Sequence, residues 1–226
     1  MRSMARSALA ALVVASLCNF PSMASSEKSL GFVAQAEHAR LDNIAVAVGA
    51  NVFAGDAFDT GANGTLRLRF GSSQLYLLPM SAAKIARSSD GALVAVVRGT
   101  AGFSSPASSQ LALETPGGIL RAAAGKPAHG QVTMRGENEF IVSAFRGDLV
   151  LDNDGELHSI PEGKSYRVVV EQEKDTVSAN NPDFVPAQNH HRKRRIIFAL
   201  ILTGAVGFAT YQIYQELSES PSKISY

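Results

Sequence analysis

The chain has 226 residues, enough for one full domain with appendages and too few for two sizeable cores. Hydrophobic residues make up 46% and charged ones 18%, a balance that excludes intrinsic disorder. Lys and Arg number 21 against 20 Asp and Glu, so no global basic field points to nucleic acid, and the single cysteine, Cys18, excludes a disulfide framework and a multi-cysteine zinc site.

Residues 1–24 read as an export signal. Arg2 and Arg6 give the positive start, and Ala8 to Leu17 form an apolar core too short to span a bilayer. After Pro21, Ser22 and Ala24 supply the small residues that precede a signal-peptidase cut. Leu17 before Cys18 is not the small residue that lipid attachment favours. Cleavage after Ala24 leaves a mature chain without cysteine, which suits an oxidising compartment.

From residue 25 to residue 172 the pattern is strand-like. Leu66, Leu68 and Phe70 alternate with Arg67 and Arg69, the period of a sheet with one buried face. Leu75 to Leu77, Leu93 to Val97, Leu111 to Leu113, Phe140 to Val142, Leu149 to Leu151 and Tyr166 to Val170 are further short runs. Turn signals separate them, among them Asp90-Gly91, Pro116-Gly117-Gly118, Gly136 and Asp154-Gly155; the last suits a two-residue hairpin because both positions tolerate positive φ. A short helix is expected only near Glu37 to Leu41. The predicted class is all-β, a sandwich or β-roll of short, mainly antiparallel strands, followed by a C-terminal transmembrane helix.

Beyond residue 172 the composition shifts. Residues 173–191, with Pro182 and Pro186, read as an extended linker, and Arg192, Lys193, Arg194 and Arg195 as a basic collar on lipid headgroups. Residues 196–214 are uncharged, and a helix there, at about 1.5 Å per residue, matches the ~30 Å hydrocarbon layer. Tyr211 and Tyr214 lie at its far end, where interfacial aromatics belong. Ala205 and Ala209 permit a weak homo-oligomer through the span. Residues 215–226 form a short tail. The collar favours a cytoplasmic position on positive-inside grounds, whereas the export signal places it outside; the first apolar segment usually dominates, so the β-domain is placed outside the cytoplasm.

Gly55-Asp56, then Thr60-Gly61, Gly64, the strand Leu66 to Phe70, Gly71-Ser72 and Leu75-Tyr76-Leu77 together resemble the central motif of the FecR-domain family. Leu113-Glu114-Thr115-Pro116 is similar to that family's later Thr-Pro segment, and Gly147 and Gly163 to its glycine-marked strands. The resemblance covers about residues 30–172 and implies a β-domain on the periplasmic side of the bacterial inner membrane. It departs from the family's sensor members, which carry a cytoplasmic segment engaging a sigma factor and then a span, because here an export signal comes first and the span last. The motif residues read as structural: the glycines for turns, Asp56 and Thr60 for hydrogen bonds to local backbone.

No nucleophile-base pair, metal-ligand spacing or phosphate loop is legible. His38, His129 and His158 are isolated, and Asp152 to Glu156 suit a hairpin better than a calcium loop. Gly99 to Ser105 lacks the lysine and helix of a phosphate cradle. Arg67 and Arg69 share a sheet face that suits an acidic partner or simple solvation. The expected function is a non-enzymatic, membrane-tethered, extracytoplasmic module that binds a protein or envelope component for sensing, regulation or scaffolding, with no cofactor, metal or nucleic acid. The alternative is a structural or carbohydrate-binding β-domain of the envelope, against which the absence of Trp counts.

Overall fold

A computed structural model describes residues 28–89, 91–107, 111–171 and 195–201. Among these residues all regular structure is β. The strands are β1 (Gly31–Leu41), β2 (Ile44–Ala45), β3 (Asn51–Val52), β4 (Ala57–Phe70), β5 (Ser73–Leu77), β6 (Ala82–Ser88), β7 (Gly91–Arg98) and β8 (Thr100–Ser105). They continue with β9 (Leu111–Thr115), β10 (Gly118–Ala122), β11 (Ala128–Met134), β12 (Glu139–Arg146), β13 (Leu149–Asn153), β14 (Glu156–Ile160), β15 (Ser165–Glu171) and β16 (Arg195–Ile201).

The long strands β1 and β4 explain the architecture. The start of β4 pairs with β6 at Ala57 to Asp59, its end pairs with β5 at Leu66 to Phe70, and β1 runs beside both portions. One wing therefore runs outward from β4 through β6, β7, β9, β10, β13 and β14; the other runs through β5, β8, β11, β12, β15 and β16. All pairs are antiparallel except β7 with β9. The sheet curls into a half-barrel, and the inner faces of the wings meet: Gly130 of β11 sits against Leu149 of β13, and Gly117 against Phe140 of β12. A sandwich of two separate sheets is thus replaced by one sheet, because β1 and β4 carry hydrogen bonding around the corner.

The core lies within the curl. Leu66, Leu68 and Phe70 are buried as their alternation with Arg67 and Arg69 predicts, and Phe58, Ile85, Val94, Leu113, Leu120 and Leu151 come from the opposite wing. Asp154 and Gly155 both take positive φ, 50° and 91°, and close the β13–β14 hairpin as expected.

One expectation fails here, and for a second the described residues show no helix. Glu37 to Leu41 is strand, not helix, because β4 pairs with it along its length; His38 takes φ 45° at a bulge opposite the Gly61 to Gly64 segment, a conformation His tolerates better than most side chains. Arg195 to Ile201 is an edge strand on β15 instead of a collar residue followed by a helix. Period-two contacts account for it: Ile196 and Phe198 pack on the core, Phe198 with its ring 4.7 Å from His158, while Ile197 and Leu200 stay exposed. No helix among the described residues is long and apolar enough to cross a membrane. The expected signal (1–24), the linker (173–191), Arg192, Lys193, Arg194, residues 202–214 of the expected span and the tail lie outside the described residues.

Candidate functional site

The motif residues gather at the corner where β4 passes from one wing to the other. Asp56 accepts a hydrogen bond from the Phe53 amide at 2.8 Å, closing the turn made by Gly55 at φ 96°, and Gly55 and Asp56 also bond the backbone of Ile85. Thr60 is buried. Its hydroxyl donates to the Leu78 carbonyl at 2.7 Å and accepts from the Ser81 amide at 2.9 Å. Ser81 passes the clamp on to β8, accepting from the Thr100 amide at 2.8 Å and donating to the Thr100 carbonyl at 3.0 Å. Gly61 accepts from the Met80 amide, and Gly64 lies so close to the His38 carbonyl that a Cβ would stand 2.6 Å from it. Gly71 and Ser72 form the exposed β4–β5 turn, and Thr115 donates to the Gly118 carbonyl across Pro116 at 2.9 Å. These side chains all hold backbone. Thr60→Val keeps the shape but strips the Ser81 amide of its acceptor, so stability is expected to fall by about 1–3 kcal/mol in a urea titration.

Beside this corner is a recess of about 440 Å³ lined by His38, Arg40, Asp59, Gly61 and Asn63. Asp59 is paired with Arg98 across the small Ala82, and Arg40 is its strand neighbour on the other side. The Asp59 carboxylate is therefore already engaged by a cation.

The outer faces of the two wings differ in chemistry. On the β7–β14 wing, mostly small or apolar side chains (Leu93 beside Ala112, then Ile119 and Val150) line a trough of about 670 Å³. Its charges are matched: Arg121 meets Asp152 at 3.2 Å. On the other wing, one transverse row runs Phe32, Arg69, Gln74, Ser104, His129 and Arg146. The next row runs Gln35, Arg67, Tyr76, Gly102, Gln131, Ser143 and Ser165. Residues paired across strands point to the same side, so the rows form one surface. No carboxylate occurs in either.

Hydrogen bonds tie this surface together. The Tyr76 hydroxyl donates to Gln74 at 2.6 Å; burial pushes the phenol up, opposed by the Arg67 guanidinium against it. Ser104 and the His129 imidazole are 3.3 Å apart, and Ser165 donates to Ser143 at 2.7 Å. Burial, then the Arg146 charge, lowers the His129 imidazole from its ordinary value and so favours the neutral ring. One row further along, Arg167 forms a two-pronged pair with Glu139, both contacts 2.8 Å, which lowers the Glu139 carboxyl.

Of the sequence-singled residues, the structure brings Gly55, Asp56, Thr60, Gly61 and Gly64 together at the corner and sets Thr115 and Pro116 apart in the β9–β10 turn. Arg195 opens an edge strand opposite Glu171. His38, His129 and His158 lie on three different strands, and among the described residues no group of three or more His, Cys, Asp or Glu could hold a metal ion. Sequence reasoning found Arg67 and Arg69, read His129 as isolated and missed Gln74, Ser104, Gln131 and Arg146, which only the strand order places beside them. Comparison with known proteins finds no family whose sequence pattern matches the chain and no curated protein that matches it.

Proposed function

We propose that the chain is a non-enzymatic, membrane-tethered, extracytoplasmic FecR-like module that binds a protein or envelope component for sensing, regulation or scaffolding. The observation that carries this reading is the use of the motif. Asp56, Thr60 and Thr115 all bond backbone, so the motif supports a scaffold, and the polar side chains left to meet a partner stand on open sheet faces. Loops and faces positioned by a rigid sheet are where binding chemistry commonly sits. The export signal read at residues 1–24 supports the placement, and the uncharged run at 196–214 supports the tether, which competes with β15 pairing for residues 196–201.

The test is protease treatment of intact spheroplasts carrying the full chain. Cleavage of the β-domain, with the chain recovered in the membrane fraction before treatment, is the expected result. Protection of the β-domain until the membrane is lysed, or recovery of the whole chain in the cytosol, overturns the reading.

A further inference from the structure

The carboxylate-free face contrasts with the charge of its surroundings. Within residues 25–189 carboxylates outnumber cations, yet the two rows on the β4–β15 wing hold Arg67, Arg69 and Arg146 and no acid. Every other position between the arginines carries a neutral hydrogen-bonding group or the bare backbone of Gly102. The arrangement is linear. Arg69 and Arg146, both exposed, stand on β4 and β12 in one row, four strand spacings or about 19 Å apart, with Phe32 beyond Arg69 on β1. Gln74, Ser104 and His129 lie between them. Arg69 bonds the Gly71 carbonyl at 3.0 Å through Nε, a contact that fixes the side chain without neutralising it.

We infer that this face is a binding ledge for an extended acidic polysaccharide, with Arg69 and Arg146 meeting its carboxylates and Gln74, Ser104, His129 and Gln131 meeting its hydroxyls. Charge complementarity selects an anion, because Arg69 and Arg146 form no ion pair among the described residues and, on a net acidic domain, make the ledge its favourable landing place. The neutral groups select a sugar polymer. Serine hydroxyls, glutamine amides and a neutral imidazole both donate and accept, as sugar hydroxyls do. A neutral glycan is disfavoured, since it would need an exposed aromatic platform between the arginines, where Tyr76 is only 3% exposed; the exposed Phe32 ring stands beyond Arg69 at the β1 margin. A lipid surface is disfavoured because the apolar side chains of the two rows, Phe32 on β1 and Ile201 on β16, stand at opposite margins and the ledge between them offers none to insert. The inference deepens the proposed binding role and rests on the face being presented to the envelope.

The experiment uses the purified full chain in nonionic detergent, with polygalacturonate as the probe and dextran, polyglutamate and anionic lipid vesicles as competitors. Polygalacturonate should bind, and binding should weaken as salt rises from 50 to 200 mM, because exposed charge pairs are screened. Arg69→Gln with Arg146→Gln should weaken it about tenfold, two exposed ionic contacts being lost. Lysine at both positions should restore most of it, and Arg121→Gln on the opposite wing should leave it unchanged. Because Arg69 and Arg146 are exposed, melting curves of these variants should match the parent. Failure to bind, equal loss in Arg121→Gln, or equal or tighter binding of dextran, polyglutamate or vesicles overturns the inference. Binding by purified protein does not depend on location in the cell, so this failure and that of the spheroplast test are distinguishable.

Discussion

Phe103→Ala is expected to lower stability by about 3–5 kcal/mol, the largest effect of any single truncation considered for this domain. Phe103 is fully buried on β8, with Leu75 and Gly130 as its neighbours on β5 and β11. The glycine is part of the fit: a Cβ at Gly130 would stand 3.0 Å from the Phe103 ring and 2.6 Å from Leu149 of the opposite wing. The ring therefore lies over a strand that has no side chain there and reaches the other half of the curl. Removing it opens a cavity that β11 cannot fill. A domain typically has about 5–15 kcal/mol in hand, so the variant should lie near the edge of folding. Urea titration with tyrosine fluorescence should show a lower midpoint at unchanged slope. Val97→Ala, at a side chain 53% exposed, should fall within about 0.5 kcal/mol of the parent. Equal losses in the two would show that Phe103 does not lie where the wings meet.

Gly118→Ala comes next, with an expected loss of about 3 kcal/mol from backbone strain and overpacking together. Gly118 opens β10 at φ 123°, and a Cβ would be 2.1 Å from the Asp152 carbonyl oxygen of β13. That obstacle is backbone, so no rotamer change relieves it; β10 and β13 would have to separate where Ile119 pairs with Asp152. Gly155→Ala separates the two terms. Gly155 also has positive φ, 91°, but nothing lies within 4 Å of the added carbon, so only the conformational cost of about 1 kcal/mol applies. Thermal unfolding of both variants measures the difference directly.

The sequence makes the wing cores legible and the topology much less so. Leu66 to Phe70 and the Asp154-Gly155 turn could be read because each is a local device: a period-two pattern in one case, two residues tolerant of positive φ in the other. Strands β8 (TAGFSS) and β11 (AHGQVTM) escaped notice, since Ala, Gly and Ser carry little strand preference. Both lie inside the sheet, paired on each side, and their small residues give Phe103 room; packing overrides propensity there. The curl itself depends on β4 changing partners midway, from β6 to β5, which no local pattern announces. The polar ledge was the least legible feature. Its members come from seven strands between residues 32 and 165, and only Arg67 and Arg69 stand out as near neighbours in an alternating run that suggests a shared face.

The β16 edge strand carries a consequence for the whole chain. An uninterrupted apolar run has no period that separates strand from helix, so the same letters can serve a sheet or a bilayer. Pairing with β15 takes residues 196–201, leaving 202–214, and a helix of that remainder would measure about 20 Å against a hydrocarbon layer of about 30 Å. A docked strand and a full-length span are thus mutually exclusive claims on one stretch of chain. Whichever claim is met, the other is forfeited: an anchored chain leaves Tyr166 and His158 without the Phe198 ring and β15 as a bare edge, and a sealed edge leaves the anchor short by several residues.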